Sequence, residues 1–245
     1  MSERENLGEF LRSRRARLSP DTPGPGRRQT PGLRRGEVAA RAGVSLDYYI
    51  RLEQGRDRHP GASVVRSLAA ALSLDPDERA YLDRLVTNRP APTGPVRPGL
   101  YRLVTSVRPT PAWLLDATGT LLCSNPEGLR LLRGIEDWPE PRRNVIRYTF
   151  LHPSSSDMFV SWAAIARDCV ADLRAAGDCP ARRSLIAELA ASTDFARLWQ
   201  TYDVRVNRGG VRTFEHPDLG RINLTTEILT SAEGHRFVAF QSPTG

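Results

Sequence analysis

The sequence predicts two folding units of different class: an all-α domain of five helices, then an α+β domain built on an antiparallel sheet with helices. Three observations carry this. Residues 1–87 contain stretches with apolar residues at three- and four-residue spacing, separated by helix caps. Residues 88–98, NRPAPTGPVRP, hold four prolines in eleven positions and few core formers, the composition of a semi-rigid linker. Residues 99–245 begin with mixed segments and end in runs that alternate apolar and polar residues. A chain of 245 residues is long enough to bury a core in each unit.

The first helix is expected over 5–18, where Leu7, Phe10, Leu11 and Leu18 are apolar and Arg12, Arg14, Arg15 and Arg17 face outward. Residues 19–32, rich in Pro and Gly, form a loop longer than most helix–helix connections. A helix over 34–42 carries Val38 and Ala39 inward and stops at Gly43, which adopts positive φ at low cost. Ser45 caps the next helix, with Tyr49 and Leu52 on its buried stripe and Asp47, Tyr48, Arg51 and Gln54 opposite. Gly55 ends it, leaving Arg56 and Arg58 beyond. Two further helices follow. The first spans 62–74 with Val65, Leu68, Ala69 and Leu72 at core spacing. The second runs from Asp75 to about residue 86, with Asp75 as cap, Pro76 at the first position, Glu78 closing a capping box and Tyr81, Leu82 and Leu85 inward.

Two short helices joined at a glycine also occur in ordinary all-α bundles, so spacing alone leaves the function of 33–58 open. The residues narrow it. E-V-A-x-x-A-G-V-S followed by L-E-Q-G-R resembles the Xre, or lambda repressor-like, helix-turn-helix family. That resemblance implies binding to double-stranded DNA, with the second helix in the major groove. Arg34, Arg35, Ser45, Asp47, Tyr48, Arg51, Gln54, Arg56 and Arg58 are then the candidate DNA contacts, and Arg15 a candidate phosphate contact. The 19–32 loop is either simply mobile or places Arg27 and Arg28 along the DNA backbone. Charge agrees with a polyanionic partner: net charge is +7, and residues 1–60 hold 13 Arg against 8 acidic residues. The chain contains no lysine, which reads as compositional bias.

Cys123, Cys169 and Cys179 are odd in number and lack C-x-x-C or metal-ligand spacing, and His59, His152, His216 and His235 form no zinc pattern. No metal or cofactor is expected, and a cytoplasmic protein without membrane association is. No apolar run reaches the length of a membrane span.

In the second unit, Leu100, Leu103, Val104 and Val107 suggest an entry helix, and 112–116 and 120–124 a β-hairpin around Ala117, Thr118 and Gly119. Short helices are expected at 125–132 and 144–151. A long amphipathic helix is expected over 157–176, with Asp157, Asp168 and Asp172 on a solvated face, and further helices over 181–190 and 192–201. Val204 and Val206 predict a strand turned at Gly209 and Gly210 into another through Val211 and Phe214. Ile222, Leu224, Thr226 and Ile228 alternate, and 236–241 forms the last strand. This is the element order of a PAS-like domain.

The resemblance extends over nearly the whole chain, to the MmyB-like regulators of the Xre class. It rests on P-G-L-R-R-x-E-V-A from Pro31, A-G-V-S-x-D-Y-Y-x-R-L-E-Q-G-R-D from Ala42, P-T-P-A from Pro109, W-x-x-x-D-V from Trp199 and H-P-x-x-G from His216. It implies a bacterial transcription regulator whose PAS-like domain, residues 99–245, holds a fatty acid or similar apolar ligand. Where the family carries His this chain has Tyr202, and where the family tends to an aromatic it has Thr225, Thr226 and Glu227. Trp113, Leu115, Leu121, Phe150, Phe159, Trp162, Trp199, Phe237 and Phe240 are available either to line such a pocket or simply to pack the core. Arg147, Arg205 and Tyr202 are the candidate partners for a carboxylate, whose burial alone would cost several kcal/mol. A homodimer is expected, because one helix-turn-helix makes few contacts and two half-sites add both contacts and spacing. The alternative is a second domain that binds a protein partner such as a sigma factor, with no small molecule. No G-x-S-x-G turn or Gly-rich phosphate loop points to an enzyme.

Overall fold

The computed structural model describes residues 7–19, 32–57, 59–87, 94–204 and 209–242. Arg27 and Arg28, Arg58, Arg205, Val206 and residues 88–93 of the expected linker lie outside these. The chain divides into two compact units, Met1–Arg89 and Pro90–Gly245.

Unit one consists of α1 (Leu7–Arg17), α2 (Arg35–Ala42), α3 (Leu46–Glu53), α4 (Ala62–Ala71) and α5 (Pro76–Thr87). Each boundary has a local cause. Gly43 takes φ +65 and closes α2 by donating to the Ala40 carbonyl. Ser45 Oγ accepts the Tyr48 N–H at 3.2 Å to open α3. Asp75 and Glu78 exchange reciprocal bonds of 2.9 and 3.1 Å at the start of α5, the capping box expected there. Phe10, Leu11, Val38, Tyr49, Leu52, Leu68 and Leu82 are fully buried among these helices.

The outward arginine row expected on α1 is corrected at two places. Arg14 is buried and pairs with Glu78 at 2.6 Å. Arg15 gives its Nε to Glu53 at 2.7 Å and its Nη1 to the Leu33 carbonyl at 2.8 Å. The reason is a carboxylate inside the domain. Glu53 ends α3 only 1% exposed, and a buried charge requires counter-charges within hydrogen-bonding reach.

Unit two opens with α6 (Pro98–Ser106), so Pro98 of the expected linker is the first residue of a helix. It continues with β1 (Ala112–Leu115), β2 (Leu121–Ser124), α7 (Pro126–Leu129), α8 (Val145–Leu151), α9 (Ser155–Met158), α10 (Trp162–Ala175), α11 (Pro180–Leu189), α12 (Thr193–Gln200), β3 (Gly209–His216), β4 (Gly220–Thr230) and β5 (Arg236–Gln241). Three single turns of 3-10 helix lie between α7 and α8. The five strands form one antiparallel sheet in the order β2-β1-β5-β4-β3. The β1–β2 turn is tied by Asp116, whose Oδ1 accepts the Thr118 and Thr120 N–H groups at 2.8 Å. One sheet face packs with Phe159, Ile165, Tyr148 and Ile135 around Trp113, Leu115, Phe214, Leu224, Val238 and Phe240. On the other face, α6 covers Ala112, Leu114, Phe237 and Ala239.

Two expectations are corrected here. The helix expected over 157–176 is broken: Phe159 forms an isolated bridge with Phe214 and Val160 donates to the Thr213 carbonyl, so the chain joins the sheet edge between α9 and α10. Asp157 therefore does not share a helix with Asp168 and Asp172. Nor do Gly209 and Gly210 make a hairpin turn. They begin β3 opposite Glu227 and Thr226, and at Gly209, with φ +102, a Cβ would lie 1.9 Å from the Thr226 carbonyl oxygen. The hairpin turn is 217–219, closed by His216 Nδ1, which accepts from the Asp218 and Leu219 N–H groups at 3.1 and 3.2 Å.

Candidate functional site

Two arrangements are able to carry function, one in each unit. In the first, Tyr49, Leu52 and Glu53 bury one side of α3 and leave Asp47, Arg51 and Gln54 exposed on the other, with Tyr48 half-buried. Arg51 lies with its guanidinium 5.5 Å from the Tyr48 ring centroid, a cation–π contact that limits its swing. Arg34 and Arg56 are exposed at the two ends of the motif, and Ser45 is exposed but committed to its cap. Arg35 extends to Glu53 at 2.7 Å, so it shares the internal carboxylate with Arg15. Burial alone would raise the Glu53 carboxyl, but bonds from Arg15 and Arg35 outweigh it and hold the group below the ordinary carboxylate value. The Tyr49 phenol is pushed well up by burial and by the adjacent Glu53 charge. Leu46 is 47% exposed at the first position of α3, outside the Tyr49/Leu52 stripe, and sequence reasoning did not single it out.

In the second unit a cavity of about 90 Å³ lies between α10 and the sheet. Trp113, Leu115, Phe159 and Phe240 of the predicted set line it, joined by Ile165, Phe214, Thr226, Ile228 and Val238. Trp113 is fixed by its indole N–H, which donates to the Gly128 carbonyl at 2.7 Å. Phe150, Trp162 and Trp199 do not line it. They pack a separate cluster of α8, α10, α11 and α12, where Phe150 meets Phe195 at 5.3 Å and Trp199 stacks on Phe195 at 5.3 Å. Trp162 packs against the sheet-side core as well, but outside the cavity lining. Arg147 is likewise elsewhere, holding Glu188 of α11 through Nε and Nη2 at 2.9–3.1 Å. Tyr202 lies over the guanidinium of the buried Arg174, 4.2 Å from ring centroid to Cζ, with Trp199 4.0 Å from the same atom.

The charged lining comes instead from residues expected to be solvated or not singled out. Asp168 and Asp172 face the cavity from α10 and pair with Arg212 of β3 at 2.5 Å and Arg236 of β5 at 2.6 Å. Cys169 sits between them, its thiol pushed up to about 12 mainly by burial, so it stays protonated at neutral pH. Period-2 alternation put Arg236 and Arg212 on the sheet face shared with Val238 and Phe214, which was the signal available. The i,i+4 spacing of Asp168 and Asp172 gave no indication of which side of α10 meets the sheet.

The profile of the MmyB-like transcription regulator ligand binding domain matches residues 96–242, and that of a helix-turn-helix domain matches residues 6–82. The chain belongs to the MmyB-like regulators. It is a DNA-binding transcription regulator with a C-terminal ligand-binding domain. In this MmyB-like chain the first match contains every strand and the cavity, and the second contains all of α3. No curated protein matches closely enough to narrow the assignment. Among the described residues no helix is long and apolar enough to cross a membrane.

Proposed function

We propose that the protein is a cytoplasmic, homodimeric operator-binding regulator whose second domain is a PAS-like sensor of an apolar ligand such as a fatty acid. The observation that carries the DNA half is the two-faced α3. Its inner side is locked by Tyr49, Leu52 and the Glu53–Arg15–Arg35 cluster, while Asp47, Tyr48, Arg51 and Gln54 are presented for base edges, with Arg34 and Arg56 for phosphates. The strand order β2-β1-β5-β4-β3, with helices inserted between β2 and β3, supports the PAS-like reading.

The cavity supports ligand sensing and sets a condition on it. At about 90 Å³ it is smaller than the ~150 Å³ dry cavity that accommodates benzene. An acyl chain that fills it displaces part of its lining, and displacement of α10 from the sheet would give the ligand a differential effect on conformation, without which binding shifts nothing. The test is operator selection from random duplexes with the purified full chain, followed by sizing of the complex. Two symmetric half-sites occupied by a dimer are expected. A monomer on a single half-site refutes the dimeric reading.

One observation favours a second reading. Val211 and Leu229 are each 63% exposed on the sheet face opposite the cavity, on the strands that α6 leaves uncovered. This surface suits a protein partner, as in regulators that contact a sigma factor. Val211→Ser with Leu229→Ser separates the two readings: it abolishes regulation without touching ligand affinity only if this face is the output.

A further inference from the structure

The cavity contains two buried hydrogen-bonding atoms that nothing among the described residues satisfies. Arg236 gives Nη1 to Asp172, but its Nε is buried without an acceptor. Thr226 on β4 is buried, and its Oγ1 has no partner. Both residues line the cavity. An unmet buried polar group costs roughly 1–3 kcal/mol and is uncommon in native interiors, so two in one cavity call for an oxygen-bearing occupant.

Their spacing says more. The β4–β5 register sets Thr226 opposite Phe240 and Thr230 opposite Arg236. Four residues of β4 separate the two levels, about 13 Å along the strand at ~3.3 Å per residue. The cavity-facing residues between them, Ile228 and Val238, form an opposed pair and are apolar. At that separation of strand levels a plain fatty acid, polar at one end only, meets only one of the two.

We propose that the ligand is an oxygenated amphiphilic acid: a carboxylate at Arg236, a hydrocarbon spacer over Ile228 and Val238, and a hydroxyl or carbonyl oxygen at Thr226. This rests on the reading of the cavity as the ligand site, and it narrows the class from fatty acids in general to acids with a second oxygen along the chain. At Arg236 the ligand carboxylate accepts from the orphaned Nε and competes with Asp172, which loosens the α10–sheet tie as the site fills. At Thr226 the hydroxyl is free to donate or accept.

The sign of one effect tests this. Burying a hydroxyl in an apolar cavity without a partner weakens binding, whereas a hydroxyl that meets Thr226 strengthens it. The full chain is titrated by intrinsic tryptophan fluorescence with decanol, decanoate and a series of hydroxydecanoates bearing the hydroxyl from mid-chain to terminus. Decanoate is expected to bind about tenfold more tightly than decanol, since charge-assisted bonds are the strong ones. At least one hydroxydecanoate is expected to bind about tenfold more tightly again, the equivalent of one net hydrogen bond. Thr226→Val, which keeps the side-chain shape, is expected to remove the second gain and leave decanoate affinity in place. Decanoate binding while every hydroxydecanoate binds more weakly, or a gain that survives Thr226→Val, overturns the Thr226 assignment. Equal affinity for decanol and decanoate overturns the Arg236 assignment. If none of the probes binds, the cavity reading itself fails and this inference falls with it.

Discussion

Replacing Glu53 with Gln tests the claim that α3 is held from inside the domain. Glu53 is buried and pairs with the Arg15 guanidinium, whose side chain is 11% exposed, and with that of Arg35, which is 45% exposed. Breaking a buried pair costs about 3–5 kcal/mol, because the remaining charge is stranded. The Arg35 contribution is screened by solvent and adds under ~1 kcal/mol. Gln retains an acceptor oxygen, which places the expected loss near ~3 kcal/mol, or about 15 °C in the melting temperature of a domain this small. Calorimetry of the full chain should show the transition of the helical unit moving by that amount and the other staying. Acid provides an internal check. The folded carboxyl lies below its ordinary value of 4.5, so its stabilising contribution is complete above that value and is lost as pH falls through the lower folded one. Glu53→Gln should flatten that acid-side loss. A shift under ~3 °C, with the wild-type acid dependence retained, refutes the reasoning.

Arg15→Ala should lower stability yet leave the salt dependence of DNA affinity unchanged, whereas a lost phosphate contact reduces that slope by about one; anisotropy titrations across salt concentrations separate the two. Arg51→Ala should weaken operator binding by about 1–3 kcal/mol, roughly fivefold to 150-fold, and leave random DNA unaffected; equal loss on both removes Arg51 from base reading. Cys169, with its thiol near 12, should be the last of the three cysteines to alkylate at pH 8, read by mass spectrometry of timed samples, and a ligand that parts α10 from the sheet should speed it. Gly209→Ala should destabilise the second unit by several kcal/mol, because its Cβ meets the Thr226 carbonyl at a positive φ; a melting temperature within ~2 °C of wild type contradicts the β3 placement.

Local signals carried most of the fold. Capping residues and periodicity placed all five helices of the first unit, because Ser45, Gly43 and the Asp75–Glu78 box act within a few residues of themselves. Alternation placed β4 for the same reason, and β5 was legible as a short apolar run. What failed depended on distant partners. An arginine-rich helix looks solvated until the buried carboxylate of Glu53, 38 residues later, is known to face it. Asp168 and Asp172 read as a solvated face until β3 and β5 bring Arg212 and Arg236 to them. The aromatics illustrate the same limit at the cavity. Trp113 and Phe240 meet at 4.4 Å on the sheet and line the cavity, while Phe150, Trp162 and Trp199, equally apolar in sequence, pack a helical cluster and do not line it.

If the second domain senses a ligand, filling the cavity changes DNA binding. Operator affinity of the full chain, measured by anisotropy with and without a saturating cavity ligand, tests it directly. The expected result is a change of roughly five- to a hundredfold, the usual range of coupling between two sites, that disappears when Val238→Trp blocks the cavity. An operator affinity that stays within about twofold while the ligand is demonstrably bound contradicts it.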